Sequence, residues 1–284
     1  MRPDDYAFLC GLLKQRSGLV LGPDKLYLVE SRLMPVAKKH GLTTLDMLVQ
    51  RLRAPGAERL AADVTEAMTT NESFFFRDKT PFDQFEQVAL PELLRSRASQ
   101  RRIRIWCAAA STGQEPYSLA MILSERQAQL AGWRVEIIGT DLSLEVLEKA
   151  KAGVYTQFEV QRGLPIQYLM RYFTKTGETW QIRSDIRAMV DYRTFNLLTP
   201  FAGLGTFDLI FCRNVLIYFD CDTKADVLNR MAACLAPDGY LVLGAAETVL
   251  GVTNVFSPLQ GGRGYYVREG HKSGVTIQPA VARG

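Results

Sequence analysis

Two rhythms of apolar residues divide the chain. From residue 3 to about 88 the spacing is helical: Phe8, Leu9, Leu12 and Leu13 share one face, and Leu26, Val29, Leu33 and Val36 share another. Ser17-Gly18 and Gly41-Leu42-Thr43 supply stops and turns. Segments 45–52 and 57–68 add two amphipathic stretches, and 82–88 and 92–99 two more. Between them, Asn71-Glu72-Ser73-Phe74-Phe75-Phe76-Arg77 breaks the rhythm. Thr69-Thr70-Asn71-Glu72 reads as a capping box. The three aromatics after it suggest a connector packed between the two halves of the chain, with Arg77 over a ligand.

From residue 101 onward the signals alternate. Strands are expected at 103–107, 134–139, 190–194, 207–212, 240–243 and 265–267, with helices at 115–131, 144–152 and 223–235. This alternation predicts an α/β fold, a mostly parallel sheet covered on both faces. Between 155 and 191 it is interrupted by a short helix at 166–172. Segments 180–183 and 189–192 read as small antiparallel strands around Gly177, an insertion on the main fold. The expected organisation is a helical domain over 1–78, a helical linker over 79–100, a sheet domain over 101–269 with an inserted subdomain near 172–196, and a flexible tail over 270–284.

Composition narrows the function classes. The 284 residues, 47% hydrophobic and 23% charged, suit an ordinary soluble globular protein with a substantial core. No apolar run approaches the roughly 18 residues of a membrane span, and Met1-Arg2-Pro3-Asp4-Asp5 lacks a signal-peptide apolar region. The five cysteines are scattered without C-x-x-C spacing, which predicts a reduced, cytoplasmic protein without structural zinc. A net charge of +4 does not by itself imply nucleic acid. Only His40 and His271 exist, and neither lies near an expected strand end, so a histidine base, a nucleophile triad and a His-based metal site are all disfavoured.

The chemistry concentrates in residues 103–118. An apolar strand meets the small-residue turn Ala108-Ala109-Ala110-Ser111-Thr112-Gly113, and a helix opens at Glu115-Pro116 with proline in the first turn. Small residues let a bulky ligand approach the backbone. The G-x-G-x-x-G spacing is missing, and Glu115 sits where a pyrophosphate would rest. A helix N-terminus that already carries an acid disfavours a phosphate and suits a cationic or zwitterionic ligand, which points to S-adenosylmethionine rather than NAD or ATP. Asp141 ends the 134–139 strand segment, where an acid accepts hydrogen bonds from ribose hydroxyls or, alternatively, caps the following helix. Arg213-Asn214 ends the 207–212 strand and Asn196-Leu197 follows 190–194. These positions face a ligand site at the carboxyl edge of the sheet, or else Asn196 and Asn214 are turn residues. Arg95, Arg97, Arg101, Arg102 and Arg104 read as a solvated face. Arg32, Lys38, Lys39, Arg51, Arg53 and Arg59 read either so or as a docking surface for an acidic partner.

Met68-Thr69-Thr70-Asn71-Glu72-Ser73-Phe74-Phe75-Phe76-Arg77, Ser111-Thr112-Gly113-Gln114-Glu115-Pro116-Tyr117-Ser118, Gly139-Thr140-Asp141 and Cys212-Arg213-Asn214-Val215-Leu216-Ile217-Tyr218-Phe219, in that order, resemble the CheR-type chemoreceptor glutamate methyltransferases of bacteria over nearly the whole chain. The resemblance implies a Rossmann-like methyltransferase sheet with a small inserted antiparallel β-subdomain, preceded by an all-α domain. It implies protein-glutamate O-methyltransferase activity with S-adenosylmethionine as donor, S-adenosylhomocysteine as product and no metal. The implied donor contacts are Asn71, Ser73, Arg77, Glu115, Asp141, Asn196, Leu197, Arg213 and Asn214, with Arg77 and Tyr218 nearest the transferred methyl. The implied partners are the cytoplasmic methylation helices of chemotaxis receptors in membrane arrays, reached through the basic face, with neither nucleic acid nor membrane insertion. The N-P-P-[YF] string of base-amino methylation is absent, since Asn214 precedes Val215-Leu216. The stretch 172–196 is shorter than in members that bind a receptor C-terminal pentapeptide, which implies independence of that tether.

Overall fold

The N-terminal amphipathic stretches fold as four helices, α1 (Pro3–Ser17), α2 (Leu26–Lys39), α3 (Leu45–Arg53) and α4 (Glu58–Met68), in a computed structural model that describes residues 1–271. Local chemistry sets their ends. α1 begins with Pro3 and with Asp4 and Asp5 in its first turn, and it stops at left-handed Gly18, whose N–H donates to the Lys14 carbonyl. The Thr44 hydroxyl caps α3 by accepting from Met47 N. Leu9, Leu13, Val29, Leu33, Leu48 and Val64 interdigitate in a core with almost no exposure. Together with Tyr218–Thr223, residues Met1–Thr70 form one compact unit. Within it, Lys14 pairs with Asp220 at 2.6 Å and Val20 N donates to the Tyr218 carbonyl.

The expected capping box at Thr69 does not form. Thr69 ends α4, its N–H donating to the Glu66 carbonyl, and no helix starts at Thr70. Arg32 holds this end instead, donating at 2.9 Å to the carbonyls of both Met68 and Thr69. A complete capping box occurs elsewhere, at Thr156 and Glu159.

Asn71–Ile217, with residues 224–271, forms the second unit, so 71–77 packs with the sheet domain. It opens with α5 (Thr80–Gln84), a π-turn at Phe85–Ala89 and α6 (Leu90–Ser96). Then come β1 (Arg102–Ala108), α7 (Gln114–Glu125), β2 (Arg134–Asp141) and α8 (Leu144–Ala152). A small lobe follows: β3 (Val154–Thr156), α9 (Gln157–Gln161), α10 (Ile166–Tyr172), β4 (Phe173–Thr176), β5 (Thr179–Ile182) and α11 (Ser184–Arg187). The chain returns through β6 (Val190–Thr194), β7 (Phe207–Cys212), α12 (Cys221–Cys234), β8 (Leu235–Leu243), β9 (Phe256–Pro258) and β10 (Tyr265–Arg268). The main sheet runs β6-β2-β1-β7-β8-β10-β9, parallel from β6 to β8, with β10 antiparallel to both β8 and β9.

The sequence places the main strands well and the lobe less well. Segment 189–192 is not an antiparallel strand of the insertion. Residues 190–194 pair in parallel with β2, Ile137 opposite Val190. The small sheet, β3-β5-β4, is the hairpin around Gly177 joined by the earlier strand β3. The helix expected to reach residue 131 ends at Glu125, and β8 starts at Leu235 rather than 240. Most of the expected tail, from 272 onward, lies outside the described residues.

The arginine cluster is not simply a solvated face. Arg97, 11% exposed, bridges Asp208 at 2.8 Å and Asp238 at 2.6 Å, while Arg104 and Arg102 converge on Glu136. These pairs lock the amino-terminal edge of the sheet. At the same edge Asp208 also accepts from Arg104 N. The opposite edge is left for chemistry.

Candidate functional site

β1 lies between β2 and β7, and the chain leaves β1 for α7 and β2 on one side before returning to β7 on the other. This switch point opens a crevice outside the carboxyl ends of the strands. The turn 109–113 sits there in an unusual backbone form: Ala109, Ser111 and Gly113 all have positive φ, at 57°, 50° and 92°. Gly113 is obligatory, because a Cβ there would lie 2.6 Å from the Tyr192 hydroxyl. Ala110 N donates to the Thr140 carbonyl, and Ser111 N donates to Asp141 Oδ2 at 2.8 Å, so the turn is tied to the end of β2. The other oxygen of Asp141 accepts from Ser143 N at 3.0 Å, while the cap of α8 is Ser143, whose hydroxyl accepts from Val146 N. The cap position of α8 is thus Ser143, while Asp141 braces the turn and stays 7% exposed at the crevice.

The connector 71–77 is fixed against this turn. Ser111 Oγ donates to the Asn71 carbonyl at 2.8 Å, and Phe76 N donates to Ser118 Oγ at 3.0 Å. Phe75 is fully buried edge-on to Tyr155 and Phe173, and Phe76 meets Phe82 and Tyr168. Phe74 lies under two guanidinium groups, those of Arg77 and Arg162. Arg77 also donates to the Glu72 carbonyl. Three positive-φ residues, Phe76, Asp78 and Lys79, turn the chain into α5.

Arg213 is the electrostatic centre. Its side chain is 1% exposed and donates to Glu115 Oε2 at 2.9 Å, to Asp78 Oδ2 at 2.7 Å and to the Arg77 carbonyl at 2.9 Å, with its guanidinium 5.6 Å from the Phe82 ring centroid. Glu115 lies in the first turn of α7. Burial pushes its carboxyl above the usual carboxylate range, more than the Arg213 charge pulls it down. Asn214 follows with φ of 60°, and Asn196 Oδ1 accepts from Leu198 N beside buried Leu197. Among the described residues, the buried Nε of Arg213 and Oδ1 of Asn214 have no hydrogen-bond partner. Such orphaned atoms are costly unless a ligand meets them.

Asn71, Ser73, Arg77, Glu115, Asp141, Asn196, Leu197, Arg213 and Asn214 all belong to the second unit. Tyr218, at the end of the 3-10 turn Leu216–Tyr218, belongs to the helical one.

A family model described as CheR methyltransferase, SAM binding domain, matches residues 71–265, and one described as CheR methyltransferase, all-alpha domain, matches 4–69. The chain belongs to the CheR methyltransferase family. Among its CheR relatives, Chemotaxis protein methyltransferase 1 of Pseudomonas aeruginosa is 43% identical over 260 residues, covering 90% of this chain and 94% of that protein. Chemotaxis protein methyltransferase Cher2 of Pseudomonas putida is 42% identical over 252 residues, covering 87% and 91%. The chemotaxis protein methyltransferase of Salmonella typhimurium is 36% identical over 254 residues, covering 88% and 85%.

The residues fit the donor of a CheR methyltransferase. A crevice lined by two carboxylates, Glu115 and Asp141, with an orphaned amide oxygen, suits a ligand that brings hydroxyl and ammonium donors and a sulfonium cation. It would repel a pyrophosphate.

Two of the residues that build this candidate site escaped the sequence reading. Asp78 was overshadowed by its neighbour Arg77. Glu247, 8% exposed, accepts from the backbone N–H groups of Asn214, Val215, Leu216 and Gly244. It lies four residues past the carboxyl end of β8, so the strand-end rule that singled out Asp141 and Arg213 would have reached it.

Proposed function

We propose that this chain transfers the methyl group of S-adenosylmethionine to glutamate side-chain carboxylates of bacterial chemoreceptors, as a protein-glutamate O-methyltransferase. The observation that carries this reading is the pair of carboxylates and the orphaned atoms of Arg213 and Asn214 at the switch point of a CheR S-adenosylmethionine-binding domain. Asp141 would take the ribose hydroxyls, Glu115 and Asn214 the amino-acid end, and Asn196-Leu197 and Asn71-Ser73 the remaining edges.

Bound S-adenosylmethionine supplies a methyl group already activated on a sulfonium, which departs as a neutral thioether. A glutamate side chain, with an ordinary pKa near 4.3, is already ionised at neutral pH. The reaction therefore requires no general base. The work left to the protein is to align a carboxylate oxygen with the C–S bond and to strip water from it. Arg77 and the Tyr218 hydroxyl are the groups proposed to orient that carboxylate.

Arg77→Ala and Tyr218→Phe should each lower turnover at saturating donor by about tenfold or more, while S-adenosylhomocysteine affinity changes less than about threefold. Unchanged turnover in both variants would remove these two residues from the reaction.

The acceptor is proposed to be an acidic receptor helix at the inner membrane surface, reached from the cytoplasm. No described helix is long and apolar enough to cross a membrane. Of the six residues of the basic face, Arg32, Lys39, Arg51 and Arg53 are engaged within the helical unit. Exposed Lys38 and Arg59 are left for a partner. The short 172–196 stretch supports methylation without a receptor pentapeptide. Tritiated S-adenosylmethionine with receptor-rich membranes tests the reading. Base-labile label on receptor protein is expected, at equal rates with receptors truncated at the C-terminus. Label on nucleic acid, or none, would overturn the proposal, and a rate that collapses on truncation would restore the tether.

A further inference from the structure

Glu247 is a buried carboxylate with an unusual job. Its Oε2 accepts from Asn214 N and Gly244 N, both at 2.7 Å. Its Oε1 accepts from Val215 N at 3.0 Å, Leu216 N at 2.7 Å and Ile217 N at 3.3 Å. Successive backbone N–H groups curled this way form a nest that ordinarily receives an external anion. Here the chain fills it from within. Residues 213–215 are in neither helix nor strand, and the 3-10 turn only begins at Leu216, so no ladder bond satisfies these donors.

The same carboxylate fixes a left-handed backbone geometry. Asn214 sits at φ of 60°, a left-handed form that asparagine tolerates better than most residues and that the bonds from Glu247 to the N–H groups of 214–217 hold in place. Gly244 is part of the clamp. A Cβ at that position would lie 2.8 Å from Glu247 Oε2, 2.9 Å from Asn214 Nδ2 and 3.0 Å from Asn214 N. The result is an Asn214 side chain locked in the crevice with its Oδ1 buried and unmatched. A group held this rigidly before the ligand arrives loses little freedom on binding.

We propose that Glu247 is a positioning residue for methyl-donor binding, acting through the backbone of residues 214–217 to preset Asn214. This rests on the assignment of Asn214 to the donor site.

Three variants test it: Glu247→Gln, which keeps the shape but turns an amide N–H against donors; Gly244→Ala, which keeps the charge but crowds the clamp; and Asn214→Ala, which removes the side chain being positioned. Calorimetric titration with S-adenosylhomocysteine should show about tenfold or weaker affinity in Glu247→Gln and Asn214→Ala, and about threefold weaker affinity in Gly244→Ala. Steady-state kinetics of Glu247→Gln should show a raised KM for S-adenosylmethionine with kcat largely kept. A merely structural role would instead lower kcat in proportion to the folded fraction and leave KM alone. Weakened Asn214→Ala with unchanged, folded Glu247→Gln overturns the positioning role only. Unchanged Asn214→Ala overturns the site assignment beneath it. If Glu247→Gln fails to fold, Gly244→Ala decides: weaker affinity supports the proposal, and wild-type affinity overturns it.

Discussion

Arg213→Ala should destabilise the sheet unit by about 3–5 kcal/mol and abolish measurable donor binding. The side chain is almost wholly buried and faces carboxylates of two different segments, Glu115 on α7 and Asp78 on the connector. Removing it leaves Glu115 as an uncompensated buried charge, which costs far more than the lost attraction alone. It also releases the Arg77 carbonyl and the floor under the connector. Thermal unfolding of the variant should move down by on the order of 10 °C. Arg213→Lys should recover only part of this, because an ammonium lacks the planar fork that meets several acceptors at once. A shift of less than about 2 °C in Arg213→Ala would show that the triad is not a structural centre.

The second large effect concerns Glu115. Glu115→Gln should weaken S-adenosylhomocysteine binding by about ten- to a hundredfold, the scale of a hydrogen bond to a charged group, while Arg213 keeps its pairing with Asp78. Its pH dependence carries a definite sign. Burial raises the Glu115 pKa in the folded chain, so over the interval from the ordinary carboxylate value up to the raised one the folded state binds more proton than the unfolded state. Its contribution to stability is therefore full below that interval and is lost as pH rises through it. A cationic ligand beside Glu115 favours the ionised form, so binding should release protons. Titration calorimetry in two buffers of different ionisation enthalpy measures this directly. The wild type should show release in mildly acid buffer, and Glu115→Gln should show less. Equal release from both proteins would place the ligand's cationic end elsewhere.

Much of this architecture was readable from periodicity. Apolar runs such as Phe207–Cys212, buried on both faces, and amphipathic α2 to α4 announce themselves because burial alone dictates their pattern. The lobe was harder. Val190–Thr194 has two buried residues among five, an alternation that suits an edge strand of either direction, and only pairing with β2 settles it. The capping-box reading failed because the string Thr-x-x-Glu carries no information about whether a helix follows. Here Phe75 and Phe76 draw the chain into the core instead. At the candidate site, strand-end positions point to Asp141, Arg213 and Asn214. No sequence pattern, however, announces that Arg213 will be shared between Glu115 and Asp78, residues 98 and 135 positions away.

The nest around Glu247 also bears on how this segment can change over time. Its hydrogen bonds are made to main-chain N–H groups, which nearly every amino acid possesses, so side chains at Val215 and Ile217 are free to drift as long as they are not proline. Positions 244 and 247 have less latitude, since a Cβ at 244 crowds the clamp and 247 must end in a carboxylate. A library randomised across 214–217 and 244–247 should therefore return diverse sequences at 215 and 217, small residues with glycine favoured at 244, and almost a single solution at 247.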